Sequence, residues 1–341
     1  MCLELAKGMV IFMNKNKIVI GQGAAAVDIV IQCQALPEED GFGRIYKEQI
    51  TSGGSGANVL VTIAQLGAPA ALVAKLGEDE FGRQFRQELM ADGVSTQYLL
   101  VKPGGATMHT YVFVAEHGKR SILVNSGDSF HTLAPEEVDD RILDDADVLY
   151  TDGCPAGVSV KLAKAAKARN IPVFVQIECP PSFMSPTSYS SGQINEVLSY
   201  ADIICCGRDV YRELATADDY LFSLKDTYDK YKPAFGVICT AGEEGAIWHS
   251  RQDTLHCAAY AINPVDTTGA GDSFCGGMIY SFFLHNAGKK DSLAFASACA
   301  AIKCLSHGPR LRVSEAMVKD FMNKHVLTCN SIKHPRKKGK E

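Results

Sequence analysis

Short apolar runs alternate along the chain with stretches whose apolar positions recur at helical spacing. Lys17-Ile18-Val19-Ile20-Gly21 has the pattern of a buried strand ending in glycine, and Val27 to Ile31 continues extended. After the turn-rich residues 36–43, Ile45 to Ile50 predicts a half-exposed strand. Gly53-Gly54 opens a helix over Ala57 to Leu66, which Gly67 closes with Pro69 just beyond. Ala70 to Leu76 predicts a strand, and Phe81, Phe85 and Leu89 share one face of a helix closed by Gly93. Thr107 to Ala115 and Ser121 to Asn125, joined by a turn at His117-Gly118-Lys119, predict a hairpin. Strands at Val148–Tyr150, Ile171–Ile177, Asp202–Cys205 and Phe235–Cys239 then alternate with helical patterns such as Val158–Lys167 and the Ala-rich Ser292–Leu305. That alternation predicts an α/β fold, a doubly wound and mostly parallel sheet with helices on both faces. The strand-rich stretches 28–51 and 105–127 do not fit it and predict a small separate β-sheet inserted into the main domain. One domain over residues 14–330 is expected, followed by a basic, aperiodic tail at 331–341.

Composition narrows this little, except by exclusion. The 46% of hydrophobic residues can build a core, and the net charge of -5 argues against a nucleic-acid partner. The run Met9 to Met13 is too short to span a bilayer and lacks a small-residue cleavage site, so no membrane partner and a cytoplasmic location are expected, with Met13 a candidate start. The 12 cysteines form no C-x-x-C, so they are expected as free, buried thiols.

Two glycine-rich segments compete for the chemistry. Gly21-Gln22-Gly23-Ala24-Ala25-Ala26 has dinucleotide-fingerprint spacing, but β-type sequence follows where a helix is required, so a dehydrogenase is not expected. Gly77 to Gly82 lacks the Lys-Ser/Thr of a Walker A loop. The second segment, Asp266-Thr267-Thr268-Gly269-Ala270-Gly271-Asp272-Ser273-Phe274, is a small-residue turn opening a helix. The N–H groups of Gly269, Ala270 and Gly271 can converge on an anion at a positive helix N-terminus, with Asp272 in the first turn beside it.

Asp266 to Phe274 resembles the C-terminal signature of the ribokinase-like, PfkB family of carbohydrate kinases. Gly53-Gly54-Ser55-Gly56-Ala57-Asn58, then Gly67 and Gly77, resemble its N-terminal signature, with Leu60 standing where a small residue is usual. The resemblance spans about Lys17 to Phe321 and implies a ribokinase-like sheet under a small β lid, with ATP as phosphoryl donor, Mg²⁺, and a small sugar or sugar acid as acceptor. It implies Asp272 as catalytic base and Gly269, Ala270 and Gly271 as the anion hole. Asp28, Gly53, Gly54 and Asn58 would bind the sugar, and Asp152 is a further substrate candidate. Thr240, Gly242 and Gly245 would border the nucleotide, with Ser297 near the adenine. A nucleoside kinase of the same fold and a non-catalytic nucleotide-binding regulator are the alternatives.

Three departures or details refine that expectation. Gly207-Arg208-Asp209-Val210 replaces the Asn-x-x-Glu that organises Mg²⁺ in many members, so Asp209 or Arg208 is expected to compensate. Ser55 stands where several phosphosugar kinases carry Lys, which favours a neutral sugar or sugar acid over a sugar phosphate. Asp266 and Thr268 match ligand positions for K⁺, yet Arg312 falls on the closing ligand; if it points inward and pairs with Asp266, activity is expected to be independent of K⁺. The lid, with either Val112 and Val114 or Ile122 and Val124 on its apolar face, is expected to form a homodimer interface.

Overall fold

The computed structural model describes residues 4–5, 9–10, 18–115, 120–184, 191–215, 217 and 219–332. The candidate start at Met13, the turn His117-Gly118-Lys119 and the tail from Lys333 lie outside the described residues. Seven strands run parallel: β1 (Ile18–Gln22), β4 (Ala70–Gly77), β5 (Leu99–Lys102), β8 (Ala146–Thr151), β9 (Val173–Ile177), β10 (Ile203–Gly207) and β11 (Gly236–Thr240). Three more, β12 (Ala246–His249), β13 (Thr254–Cys257) and β14 (Cys329–Ser331), extend the sheet antiparallel at one edge. The order is β14-β13-β12-β11-β10-β9-β8-β1-β4-β5. The chain therefore winds one way from β1 and the other way from β8. Their adjacent carboxyl ends form the switch point where open α/β sheets bind ligands.

The helices are α1 (Ser55–Gln65), α2 (Glu80–Ala91), α3 (Ala156–Ala168), α4 (Ser191–Tyr200), α5 (Arg208–Ala215), α6 (Tyr220–Tyr231), α7 (Ala270–Met278), α8 (Lys289–Cys304) and α9 (Glu315–Lys324). Helix α1 packs on β1 and β4, and Leu60 is fully buried there. A β-carbon on Gly21 of β1 would stand 2.6 Å from the Leu60 side chain, so a glycine makes the room that this larger residue needs.

A second sheet holds β2 (Ala26–Cys33), β3 (Ile45–Gly53), β6 (His109–Val114) and β7 (Arg120–Asn125) in the order β3-β2-β6-β7. Both expected inserted stretches are in it. Val112 pairs with Ile122 and Thr110 with Val124, so Val112, Val114, Ile122 and Val124 all project to one face. The expectation of one pair or the other is thereby corrected. Asp28 lies opposite Thr110 and shares this face, which looks onto the carboxyl ends of the main sheet.

Candidate active site

A cleft of about 300 Å³ opens there, lined by Gln176, Glu178, Thr240, the turn 267–271, Asp272 and, from the lid, Ile122. A larger recess of about 520 Å³ beside β5 is lined by Tyr98, Leu100 and Val138 and by the charged Glu137, Asp139 and Arg141, which are engaged in ion pairs, Glu137 with Lys75 and Asp139 with Arg141.

The turn into α7 is built by Gly269, which takes φ 75° and packs so tightly on the Pro309 carbonyl that no β-carbon would fit. Ala270 N–H closes the turn on Thr267 O at 3.2 Å. Gly271 is exposed, and a β-carbon there would meet no other atom within 4 Å, so its backbone is open to an anion.

Asp272 follows in the first turn of α7 and is 5% exposed. Ser55 Oγ donates to its Oδ1 at 2.8 Å, Gln176 Nε2 to the same oxygen at 3.0 Å, and Asn58 Nδ2 to Oδ2 at 2.9 Å. Three segments, α1, β9 and α7, thus converge on one carboxylate. Burial pushes its carboxyl above the ordinary range, against the hydrogen bonds that favour the charge. Tyr150 Oη orients Gln176 by donating to its Oε1 at 3.0 Å. Asn58 Oδ1 is buried without a protein partner among the described residues.

Asp28 lies opposite Thr110 on the lid, accepts from Thr110 Oγ1 at 2.6 Å, has its carboxyl raised by burial, and is not among the residues lining the cleft. Its Oδ2 lies where a Gly53 side chain would stand, and Gly54 at φ 88° packs 2.5 Å from the Ala24 carbonyl, measured from where its β-carbon would be. Thr240 lines the cleft, with Gly242 and Gly245 in the turn behind it. Asp152 is 5% exposed and accepts from Ala24 N–H at 2.5 Å and Cys154 N–H at 3.0 Å. Burial raises its carboxyl to about 7 despite those bonds. Its position braces the 23–26 turn between β1 and β2, which has no helix after it, as the sequence indicated. Ser297 is buried on α8 beside Cys257 and is not among the residues lining the cleft.

Three expectations are corrected. Arg312 does not pair with Asp266: its Nε and Nη2 bind the Asp92 carboxylate at 2.7 and 3.1 Å, joined there by Arg310 at 2.9 Å. Asp266 is instead satisfied by the N–H groups of Thr268 and Gly308, each at 2.9 Å. Asp209 does not enter the cleft but pairs with Arg212 at 2.9 Å on the exposed side of α5, and Arg208 is held by Glu244.

Sequence reasoning passed over Gln176 and Glu178. Their signal is a polar pair at the carboxyl end of an apolar parallel strand, Val173-Phe174-Val175-Gln176-Ile177-Glu178. Glu178 opens into the cleft; the enclosing walls, then the charges of Asp272, Asp152 and Asp28, push its carboxyl well up. Its side chain also reaches solvent. The described cysteines are free thiols and mostly buried, as expected.

Comparison with known proteins agrees with this fold. The model of the pfkB family carbohydrate kinases matches residues 22–316. The ATP-dependent ribose-1-phosphate kinase of Halopiger xanaduensis is 27% identical over 307 residues, 89% of this chain and 98% of that protein. The deoxyribokinase of Salmonella typhi is 28% identical over 271 residues, 74% and 82% of the two chains. Among solved structures, the ribokinase of Arabidopsis thaliana complexed with ribose and ATP superposes with a TM-score of 0.77 at 22% identity, covering 90% of this chain and 98% of that one.

Proposed function

Because the chain belongs to the pfkB family of carbohydrate kinases, we propose that its ATP-dependent transfer acts on a hydroxyl of a small neutral sugar held between Asp28 and Asp272. The observation that carries this is the triply held Asp272 carboxylate in the first turn of α7, beside an open glycine turn. The unpartnered Asn58 Oδ1 in the same wall supports a hydroxylic ligand, since a buried orphan acceptor costs ~1–3 kcal/mol.

Asp272 orients the acceptor hydroxyl and takes its proton late, because the transition state is loose and early deprotonation is not needed. The amides at the start of α7 stabilise charge on the transferred group. Thr240, Gly242 and Gly245 border the nucleotide. Mg²⁺ fits the donor set: Glu178 and Asp272 face one cleft, and this ion takes one or two carboxylates plus substrate phosphates rather than a full protein cage. When bound, it would neutralise phosphate charge, and Glu178 would supply the cleft-facing carboxylate that Asp209, paired with Arg212, does not.

Among the described residues the cleft lining holds no cationic side chain, whereas Glu178 and Asp272 line it and the charge of Asp28 lies near enough to raise the Glu178 carboxyl. Like charges in a low-dielectric cleft repel strongly, so a phosphorylated or acidic sugar is disfavoured as acceptor. Asp28→Ala tests the placement. The acceptor KM should rise about tenfold or more, since charged hydrogen bonds are worth ~1.5–3 kcal/mol, while the ATP KM holds. An unmoved acceptor KM would show that the lid side of the pocket is misplaced.

A further inference from the structure

Lys303 lies in the last turn of α8 and is fully buried, a state lysine rarely adopts unpaired. Its Nζ donates to the Asp266 carbonyl at 2.7 Å and to the Ser306 carbonyl at 3.3 Å. Around it the backbone is tied together. Val265 and Asp266 N–H both bond the Cys304 carbonyl, at 2.7 and 3.2 Å, and the Asp266 carboxylate holds the N–H groups of Thr268 and Gly308. Burial opposes the Asp266 charge, but these hydrogen bonds and the Lys303 charge hold its carboxyl below the ordinary range.

A lysine that only capped its helix would bond its own last carbonyls and keep its head in water. This one reaches back 37 residues to the loop that leads into the anion turn. It therefore joins three segments: the loop entering α7, the negative carboxyl end of α8, and the 306–308 turn. Carbonyl oxygens backed by a carboxylate are also the donors that suit a desolvated monovalent cation. An ammonium already bonds two of those carbonyls, so the loop does not fit a free K⁺.

We propose that Lys303 is a positioning residue, a built-in monovalent cation that fixes the 265–271 loop and so frees the kinase from any need for K⁺. The loop is held by Lys303 whatever the acceptor, and only the rate readout rests on the proposed kinase activity.

The test uses the full-length protein in potassium chloride or tetramethylammonium chloride at equal ionic strength. Wild type should turn over equally in both. Lys303→Met, neutral and of similar length, should lose about tenfold or more, because even one anion-hole donor is worth ~10²–10³-fold. Lys303→Ala opens space, so K⁺ or ammonium should restore part of its turnover. Its melting temperature should also rise in K⁺ relative to tetramethylammonium, while that of wild type does not. The melting comparison needs no substrate, so it stands even if the acceptor assignment fails. Strong K⁺ activation of wild type would overturn the proposal, as would wild-type turnover by folded Lys303→Met. If Lys303→Ala does not fold, wild type and Lys303→Met decide.

Discussion

Asp272 is a carboxylate whose surroundings raise its pKa while three donors fix its direction. A base must be ionised to act, so the acid limb of kcat/KM should lie above the ordinary aspartate value of ~3.9. A profile flat down to that value would remove Asp272 from the role. Asp272→Asn should keep the fold and ATP affinity but lower kcat by ~10²–10⁴-fold, the usual worth of a general base; turnover within a few-fold of wild type would contradict the assignment. Asp152 carries a different consequence. Its folded pKa of about 7 exceeds the ordinary aspartate value of 3.8, so the folded protein binds a proton that the unfolded chain releases. The associated stability is complete below the lower value and is lost as pH rises toward the upper one. Denaturation at fixed pH steps should show Asp152→Asn with a flatter decline across that window. A parallel curve would mean that Asp152 is ionised in the native state.

At the element scale, the glycine turn into α7 and the alternation of strands and helices were legible because each is a local pattern. The partners of Asp272 were not, since Ser55 and Gln176 lie 217 and 96 residues away in sequence. Strands β12 to β14 escaped for another reason. Each has only three or four residues, too few to show a period. Nothing in the sequence distinguishes Lys303 from an ordinary last-turn lysine, and Arg312 was placed by spacing alone, which cannot reveal that Asp92 competes for it. Leu60 illustrates the reverse case: its departure from the family pattern is matched by Gly21 directly opposite. Gly21→Ala should therefore destabilise by ~1–3 kcal/mol, the range for overpacking, and by less in a Leu60→Ala background. Equal losses in both backgrounds, measured by urea unfolding, would show that the two residues are not coupled.

For the whole molecule, the two sheets have distinct tasks. The main sheet sets Asp272 and the anion turn at its switch point, and the lid brings Asp28 across from the other side. On the lid's outer face Ile50, Tyr111 and Leu123 are exposed, at 41%, 37% and 62%. We propose that a second copy of the chain covers them, because contiguous apolar patches of this kind favour association. Sedimentation should show a dimer that Leu123→Asp weakens, and a wild-type monomer at micromolar concentration would exclude it. The central claim is phosphoryl transfer from ATP to a neutral sugar, and it is tested most directly by acceptor-dependent ADP release. The account predicts turnover with one or more neutral pentoses or hexoses, abolished in Asp272→Asn, and little with their phosphates or with nucleosides. Turnover confined to a phosphosugar or a nucleoside, or ADP release indifferent to every acceptor, would contradict it.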